Sequence, residues 1–519
     1  MIEEMHAALK ALGKPPAENL ATDDPDDGVD RAALAAYKAY ADEYEINDKL
    51  NVADKWHQER LLLTRRHPDV WSDYAAFCAR RGRRGKAEEA YKEALQLDGE
   101  HAPSLLGLTV LTMCDEEYQR AEVYAHAATT SARASSADPA AWALLAATYE
   151  GLEREEDAAN CDFEARRLAA EVMSHVFDDA RPSPAQPDAF EAAALACLDL
   201  ACAAPASKVL DMSPAARRGE PDGITRALCL ARCAMLSKAH DTAYAHLMRA
   251  LEVDATDPRP FELLGDVHYA CGRFKEAQEG YTHALALSGG VDNVGGHPPA
   301  SLKLILNLGK ASLVCGRLKD ARGVFMSACG VSPVASTWLG AGIAMCREGD
   351  LDGAEAALAE ANLLDASNAD VWGYLCLVAL LSERVDEAEH ALNAAFKVGI
   401  DHAPLLAEVG SLFLERGRWK HAEGALRRSV KHGGGADVRY ALGRALHEQG
   451  DAAAARDQML AAVDQAAEAG DAETQRLTLE SLRAVHSELG ENEAAEAAKG
   501  RLKIMGVRTS PPPKNFRDR

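Results

Sequence analysis

A period of 34 residues is the feature that most restricts how this 519-residue chain can fold. Trp71 and Ala87 stand as far apart as Phe261 and Ala277, and the residues between them match in type. We place the repeat frame twelve times, beginning at residues 34, 68, 102, 139, 224, 258, 302, 335, 369, 403, 436 and 476. Position 20 of the frame is alanine in all twelve copies, and position 8 is small in ten of them. Such agreement at one period indicates internal structural repeats.

The spacing within the frame predicts two helices, A and B, joined by a turn. Positions 4, 7, 8 and 11 share one stripe of helix A, and positions 20, 24 and 27 share one stripe of helix B. Small residues at positions 8 and 20 let the two helices approach, and the residue at position 24 fills the remaining gap. Glycine near position 15 supplies the left-handed residue that ends helix A. Since one pair cannot bury both of its faces, the pairs must stack.

These spacings resemble those of the tetratricopeptide repeat (TPR). The resemblance implies an all-α fold, a TPR α-solenoid that forms a right-handed superhelix of about 12–13 helix-turn-helix repeats. We expect a short helix and acidic linker at 1–33, four repeats at 34–177, a degenerate helical pair with proline-rich loops at 178–223, eight repeats at 224–506 and a proline-rich basic tail at 507–519.

Composition excludes several classes of partner. The net charge of −24 disfavours nucleic acid and anionic membranes, because both require a basic face. The sequence contains no run of 18 apolar residues, so it predicts no membrane span. The acidic N-terminus does not resemble a secretory signal. The twelve cysteines include no CxxC pair, so we expect reduced, packed thiols in a cytoplasmic protein.

No motif predicts an enzyme. The sequence GGVDNVGG at 289–296 lacks the Lys-Ser/Thr pair of a phosphate-binding loop, and a flexible turn explains it better. Cys229 and Cys233 stand one helical turn apart, but no second pair completes a metal site, so packing is favoured. A GxSxG nucleophile motif is absent. We therefore predict no catalytic residue, no cofactor and no metal site.

The binding pattern of chaperone-binding TPR domains is incomplete. Those domains grip a C-terminal carboxylate with lysine, asparagine and arginine from three consecutive A helices. Asn307 occupies one suitable position, but Ser336 and Gly340 stand where the basic pair should follow. This departure argues against a co-chaperone role, although it leaves that role as an alternative.

Two sets of residues are candidates for protein binding. The first is a basic cluster at the A–B turn of the second repeat: Arg80, Arg81, Arg83, Arg84 and Lys86. It forms either a solvated turn or an edge that recognises anions such as acidic protein tails. The second set, chosen by position on helix A as facing the groove, is Asp266, Asn307, Lys310, Tyr374, Arg444 and His447. Ordinary solvated surface is the alternative for these six.

A closer resemblance covers roughly residues 40–165. Trp71 with Tyr74, Lys86-Ala87-Glu88-Glu89 and Asp138-Pro139 with Trp142 resemble the TPR region of a cilia- and flagella-associated protein of the axoneme. In that family the TPR array is the C-terminal part of a longer chain, so this chain is expected to be a shortened relative or a fragment. The resemblance implies a non-enzymatic structural component of a motile cilium or flagellum that docks onto neighbouring axonemal proteins. A soluble TPR adaptor or co-chaperone-like assembly factor and a regulatory subunit of an enzyme complex remain alternatives, and the oligomeric state is open.

Overall fold

The computed structural model describes residues 31–130, 138–176, 188–219, 222–290, 301–331 and 333–505. Every regular element within these ranges is a helix. None of the described helices combines the length and the apolar character that a membrane crossing requires. The predictions for the N-terminal helix and linker up to residue 30, the proline-rich stretch at 178–187 and the tail at 507–519 lie outside the described residues.

The chain divides into two compact units, and the division falls between Arg317 and Leu318. The sequence analysis placed its irregular segment elsewhere, at 178–223. The described helices of the N-terminal unit are α1 (Arg31–Ile46), α2 (Leu50–Leu63), α3 (Pro68–Arg80), α4 (Arg84–Leu97), α5 (Ala102–Cys114), α6 (Tyr118–Thr130), α7 (Pro139–Gly151), α8 (Glu155–Val176), α9 (Ala189–Asp199), α10 (Ala203–Asp211), α11 (Pro214–Arg218), α12 (Ile224–Leu236), α13 (His240–Val253), α14 (Pro258–Ala270), α15 (Phe274–Leu287) and α16 (Leu302–Val314).

The C-terminal unit continues the same alternation of A and B helices. Its described helices are α17 (Leu318–Val331), α18 (Ala335–Glu348), α19 (Leu351–Leu364), α20 (Ala369–Leu381), α21 (Val385–Val398), α22 (Ala403–Glu415), α23 (Trp419–Lys431), α24 (Ala436–Glu448), α25 (Ala452–Ala469), α26 (Ala472–Glu488) and α27 (Asn492–Ile504). Within each unit, most B helices pack against the A helix of their own repeat and against the next A helix. The predicted fold class, an all-α TPR solenoid, is confirmed.

Helix packing follows the residue sizes that the frame predicts. All twelve alanines at position 20 are buried, from Ala53 in the first repeat to Ala495 in the last. A Cβ added at Gly342, at position 8, would lie 2.7 Å from Leu358 Cγ, at position 24 of the same repeat. Gly410 and Leu426 show the same relation at 2.6 Å. Small residues at position 8 therefore make the space that the large residue at position 24 fills.

The turn between helices A and B is left-handed throughout the described repeats, whether or not glycine is present. The glycines near position 15 all have positive φ: Gly82, Gly272, Gly316, Gly349, Gly417, Gly450 and Gly490. In the other five repeats position 15 is a residue with a side chain and still has a φ of 58° to 61°: Asp48, Glu116, Glu153, Lys238 and Glu383. The repeat geometry thus imposes a conformation that these five residues ordinarily avoid.

The helical pair α9–α10 departs from the stacking of the other pairs. Apart from its own partner α10, helix α9 packs mainly against α7, the A helix of the preceding repeat, and it hardly touches the B helix α8. Helix α10 contacts the A helices α5, α7 and α12. Phe190, Val209 and Leu210 are at most 1% exposed in this arrangement. Residues 189–211, which we call the inserted pair, therefore cover part of the surface that the A helices α5 and α7 would otherwise present.

Candidate protein-binding surfaces

The basic cluster after α3 is largely engaged by acidic residues of the same chain. Arg80 donates two hydrogen bonds to Glu45, from Nε to Oε1 at 2.5 Å and from Nη2 to Oε2 at 2.7 Å. Arg81 donates from Nη1 to the carbonyl oxygen of Leu50 at 3.2 Å and lies 3.4 Å from Asp54 Oδ2. Both side chains thus join the second repeat to the first.

Arg83 belongs to a contact that recurs along the chain. It occupies position 16 of its repeat, and its Nη1 lies 2.7 Å from Oδ2 of Asp54, at position 21 of the preceding repeat. We call this contact between positions 16 and 21 of successive repeats the 16–21 ladder. Its other members with arginine at position 16 are Arg154–Glu122 (2.7 Å), Arg317–Gln278 (2.8 Å), Arg384–Glu355 (2.6 Å) and Arg418–Glu389 (3.2 Å). Two junctions reverse the polarity, with Arg322–Asp350 at 3.3 Å and Arg456–Glu491 at 2.6 Å.

Arg84 and Lys86 differ in their surroundings. Arg84 Nη1 donates to Asp115 Oδ1 of the next repeat at 2.6 Å. Lys86 is exposed, and no ion pair links it to another residue in the described ranges. Within the predicted basic cluster, Lys86 is therefore the side chain best placed to meet a partner without breaking an ion pair between repeats.

Two of the predicted groove residues lie in one hydrogen-bonded cluster. Asp266 Oδ1 accepts from the Tyr281 hydroxyl at 2.7 Å and from Asn307 Nδ2 at 3.2 Å. Lys303 Nζ lies 2.7 Å from the second carboxylate oxygen. Burial raises the pKa of Tyr281, and the charge of Asp266 acts in the same direction. The sequence analysis named Asp266 and Asn307 but missed Tyr281 and Lys303. In the sequence, these four residues are related only by lying in the same repeat or in adjacent repeats.

Lys310 and Tyr374 are less exposed than the sequence analysis expects. Lys310 is half-buried, and this burial lowers the pKa of its ammonium group, while the charge of Asp48 opposes the shift. Tyr374 was expected to face the groove, but only 7% of it is exposed, and its ring lies 6.2 Å from that of His402. Burial raises the pKa of Tyr374 to about 12. Tyr374 therefore offers little of its surface to a partner, and its place in the groove stays a prediction.

Arg444 and His447 both belong to helix α24. Arg444 is exposed, and its guanidinium carbon lies 6.0 Å from the centre of the Tyr440 ring. His447 Nε2 lies 2.7 Å from Glu488 Oε2, and 15% of its side chain is exposed. Arg444 therefore offers a positive charge to solvent, whereas His447 is engaged with the last A helix.

A cleft between α2 and α4 was not predicted as a surface. It has a volume of about 650 Å³ and is lined by Trp71, Leu62 and Leu97 among others. Leu62 is 58% exposed and Leu97 is 45% exposed, and Trp71 Nε1 donates to the carbonyl oxygen of Arg65 at 3.0 Å. Leu62 and Leu97 lie at the ends of their B helices, beyond the positions that define the repeat, so the frame gave no reason to single them out.

Two family models match the chain. The model described as "Cilia and flagella-associated protein 70 middle TPR-like domain" matches residues 37–169, and "Cilia and flagella-associated protein 70 C-terminal domain" matches residues 191–477. The cilia- and flagella-associated protein 70 of Homo sapiens is 27% identical over 525 aligned residues, which cover 79% of this chain and 45% of the human protein. The Macaca fascicularis protein of the same name is 43% identical over 109 residues, which cover 21% of this chain and 11% of that protein. The chain thus spans less than half the length of these relatives.

Solved TPR proteins are also similar to the chain. Yeast Tom70 is 14% identical with a TM-score of 0.37, over 92% of this chain and 97% of that one. The Cut9 complex with Hcn1 is 15% identical with a TM-score of 0.32, over 90% and 92%. YrrB, a TPR protein whose structure is described as having an unusual peptide-binding site, is 21% identical with a TM-score of 0.31, over 35% and 89%.

Proposed function

Because the chain belongs to the cilia- and flagella-associated protein 70 family, we propose that it is a non-enzymatic scaffold of the ciliary or flagellar axoneme. In this proposal its TPR arrays dock neighbouring axonemal proteins. The family membership supports a protein-interaction role, and the name shared by the relatives supports a location in cilia and flagella.

The 16–21 ladder is the observation that carries the scaffold proposal. Polar contacts between positions 16 and 21 occur at seven junctions, and each of them holds together the two repeats that meet there. A surface that is ordered before binding loses little conformational entropy when a partner docks. Such a surface suits an extended peptide or a helix laid across several repeats.

Exposed basic side chains support acidic protein tails as one class of partner. Lys86 and Arg444 both carry positive charge on an otherwise acidic chain. The variants Lys86→Glu and Arg444→Glu should weaken capture of such partners by the full chain, and the loss should grow as salt is lowered. Lys275→Glu is the matched control, because Lys275 is exposed and belongs to a different repeat from either residue. Equal capture by all three variants would contradict the role of these two side chains.

Extraction from isolated cilia tests the axonemal role. We expect the tagged full chain to stay with the axoneme after detergent treatment and to leave it only at high salt. Complete release by detergent alone would contradict the axonemal role. In that case, binding to a chaperone C-terminal peptide would support a soluble adaptor, and copurification of an enzymatic activity would support a regulatory subunit.

A further inference from the structure

Two cysteines that are distant in sequence meet where the inserted pair touches the third repeat. Cys114 is the last residue of α5, and Cys202 precedes α10, which packs against α5. The two thiols interact side chain to side chain. Cys202 is 3% exposed, whereas Cys114 is half-buried. Cys114 is therefore the more accessible residue of the pair, and Cys202 is shielded from solvent.

Charge around the pair favours a thiolate. Arg84 Nη2 lies 3.5 Å from the sulfur of Cys114 and is held by the contact of the same guanidinium with Asp115. The N-terminus of α10 at Cys202 adds positive potential. The side-chain contact with Cys202 lowers the pKa of Cys114 to about 7, with help from Arg84, although burial and Asp115 oppose the shift. The Cys202 thiol itself donates to the carbonyl oxygen of Leu200 at 3.5 Å.

We propose that Cys114 and Cys202 form a redox-sensitive dithiol that hydrogen peroxide converts into a disulfide. The Cys114 thiolate attacks one peroxide oxygen, so that an S–O bond forms, the O–O bond breaks and hydroxide leaves as water after taking a proton. The sulfur of Cys202 then attacks the sulfenic sulfur of Cys114, the S–O bond breaks, and a second water leaves with the remaining protons. Two thiols are oxidised by two electrons, and one peroxide is reduced to two waters.

Other described cysteines lack this combination. Burial raises the pKa of Cys376 and of Cys197, which disfavours the reactive thiolate. Cys271 is exposed and forms no disulfide, and no positive charge pairs with its thiol within the described ranges. Reaction is therefore selective for Cys114, and Cys202 is the resolving thiol.

The disulfide would join the third repeat to the inserted pair. Helix α10 covers part of α5 and α7, so a covalent bond at its first turn holds it on those A helices. Oxidation would then oppose separation of the inserted pair from these A helices. This inference does not depend on the proposed axonemal role.

Peptide mapping of the full chain tests the dithiol. The reduced protein is treated with hydrogen peroxide, its free thiols are blocked under denaturing conditions, and the digest is analysed by mass spectrometry. We expect a linked peptide containing Cys114 and Cys202 to form first. In Cys202→Ser we expect Cys114 to accumulate as a sulfenic acid that dimedone traps, and in Cys114→Ser we expect neither product.

Two further variants separate thiolate activation from mere proximity. Arg84→Gln should slow formation of the linked peptide several-fold, because it removes the cation beside Cys114. Cys271→Ser is the matched control and should leave the rate unchanged. A further test needs no variant: the melting temperature of the unsubstituted chain should rise when the disulfide forms. Oxidation of Cys271 before Cys114, a first link between other cysteines, or an unchanged rate in folded Arg84→Gln would overturn the proposal.

Discussion

Arg80 holds Glu45 of the preceding repeat through two hydrogen bonds of 2.5 and 2.7 Å. This relationship allows the structural and binding roles of the basic cluster to be separated. Glu45→Arg should destabilise the N-terminal unit by roughly 0.5–1 kcal/mol, because it places like charges together. The double variant Glu45→Arg with Arg80→Glu should recover most of that loss in urea unfolding.

The same double variant moves the positive charge from α3 to α1 while it keeps the ion pair. If Arg80 recognises acidic partners, capture by the double variant should fall although its stability is restored. If instead capture of acidic partners recovers together with stability in the double variant, Arg80 acts only as a contact between repeats.

His57 should make the stability of the N-terminal unit depend on pH. Its ring lies 4.6 Å from that of Phe77, it is 2% exposed, and burial lowers the pKa of His57 to about 4. The unfolded chain therefore binds the proton more tightly, so stability is complete above about pH 6.5 and falls as the pH drops towards 4. We expect His57 to account for a loss of about 2 kcal/mol at roughly pH 5, measured by urea unfolding.

His57→Leu should remove this part of the pH dependence and fill position 24 with the apolar side chain that the repeat favours. His126→Leu is the control, since His126 is an exposed residue of α6. A pH profile that is identical in His57→Leu and the parent would contradict the assignment.

Glu383→Gly should stabilise the C-terminal unit. Glu383 has a φ of 61°, where a Cβ is unfavourable, and it occupies the turn position that glycine holds in seven other repeats. Part of the gain is offset by the greater freedom of glycine in the unfolded chain, so we expect about 0.5–1 kcal/mol from urea unfolding. Gly349→Ala, at φ 87°, is the converse change and should lower stability by a similar amount. A loss of stability in Glu383→Gly would show that the left-handed turn is not the strained element.

Gly265→Ala should destabilise the N-terminal unit, because the added methyl group would overlap the ring of Tyr281. Moving a buried aromatic ring aside costs about 1–3 kcal/mol. Gly323→Ala, on the exposed face of α17, meets no atom within 4 Å and should be neutral or slightly stabilising. Thermal unfolding of the two variants gives the comparison, and equal effects would contradict close packing between positions 8 and 24.

The repeat frame predicts the helical pairs because a few positions decide the packing. Alanine at position 20 and glycine near position 15 have the burial and the left-handed turns that the frame implies. Residues that break the frame are less predictable. Asp162 occupies position 24 and is nevertheless 7% exposed, because Arg166 and, at 3.5 Å, Arg217 surround its carboxylate. No local pattern in the sequence indicates that Arg217, in the distant helix α11, is such a partner.

The candidate surface is predicted less completely than the fold. Periodicity placed Asp266 and Asn307 on one surface, but it could not show that their polar groups bind each other. The position of the inserted pair also escaped prediction, since the sequence of α9 and α10 fits either stacking on a B helix or lying on A helices. Contacts between distant segments, rather than helix propensity, decide both cases.

The polarity reversals of the 16–21 ladder restrict the order in which repeats can stack. Asp350 at position 16 pairs with Arg322 at position 21, whereas the contacts Arg154–Glu122 and Arg384–Glu355 have arginine at position 16 and an acidic residue at position 21. A repeat stacked on the wrong neighbour would bring Asp350 against a carboxylate such as Glu389 at position 21 of another repeat, which is unfavourable. Similar repeats are otherwise prone to pack against a non-adjacent repeat of the same chain or against a second chain. The charges of the ladder thus differ from junction to junction, so that like charges repel each other when a repeat packs against the wrong neighbour.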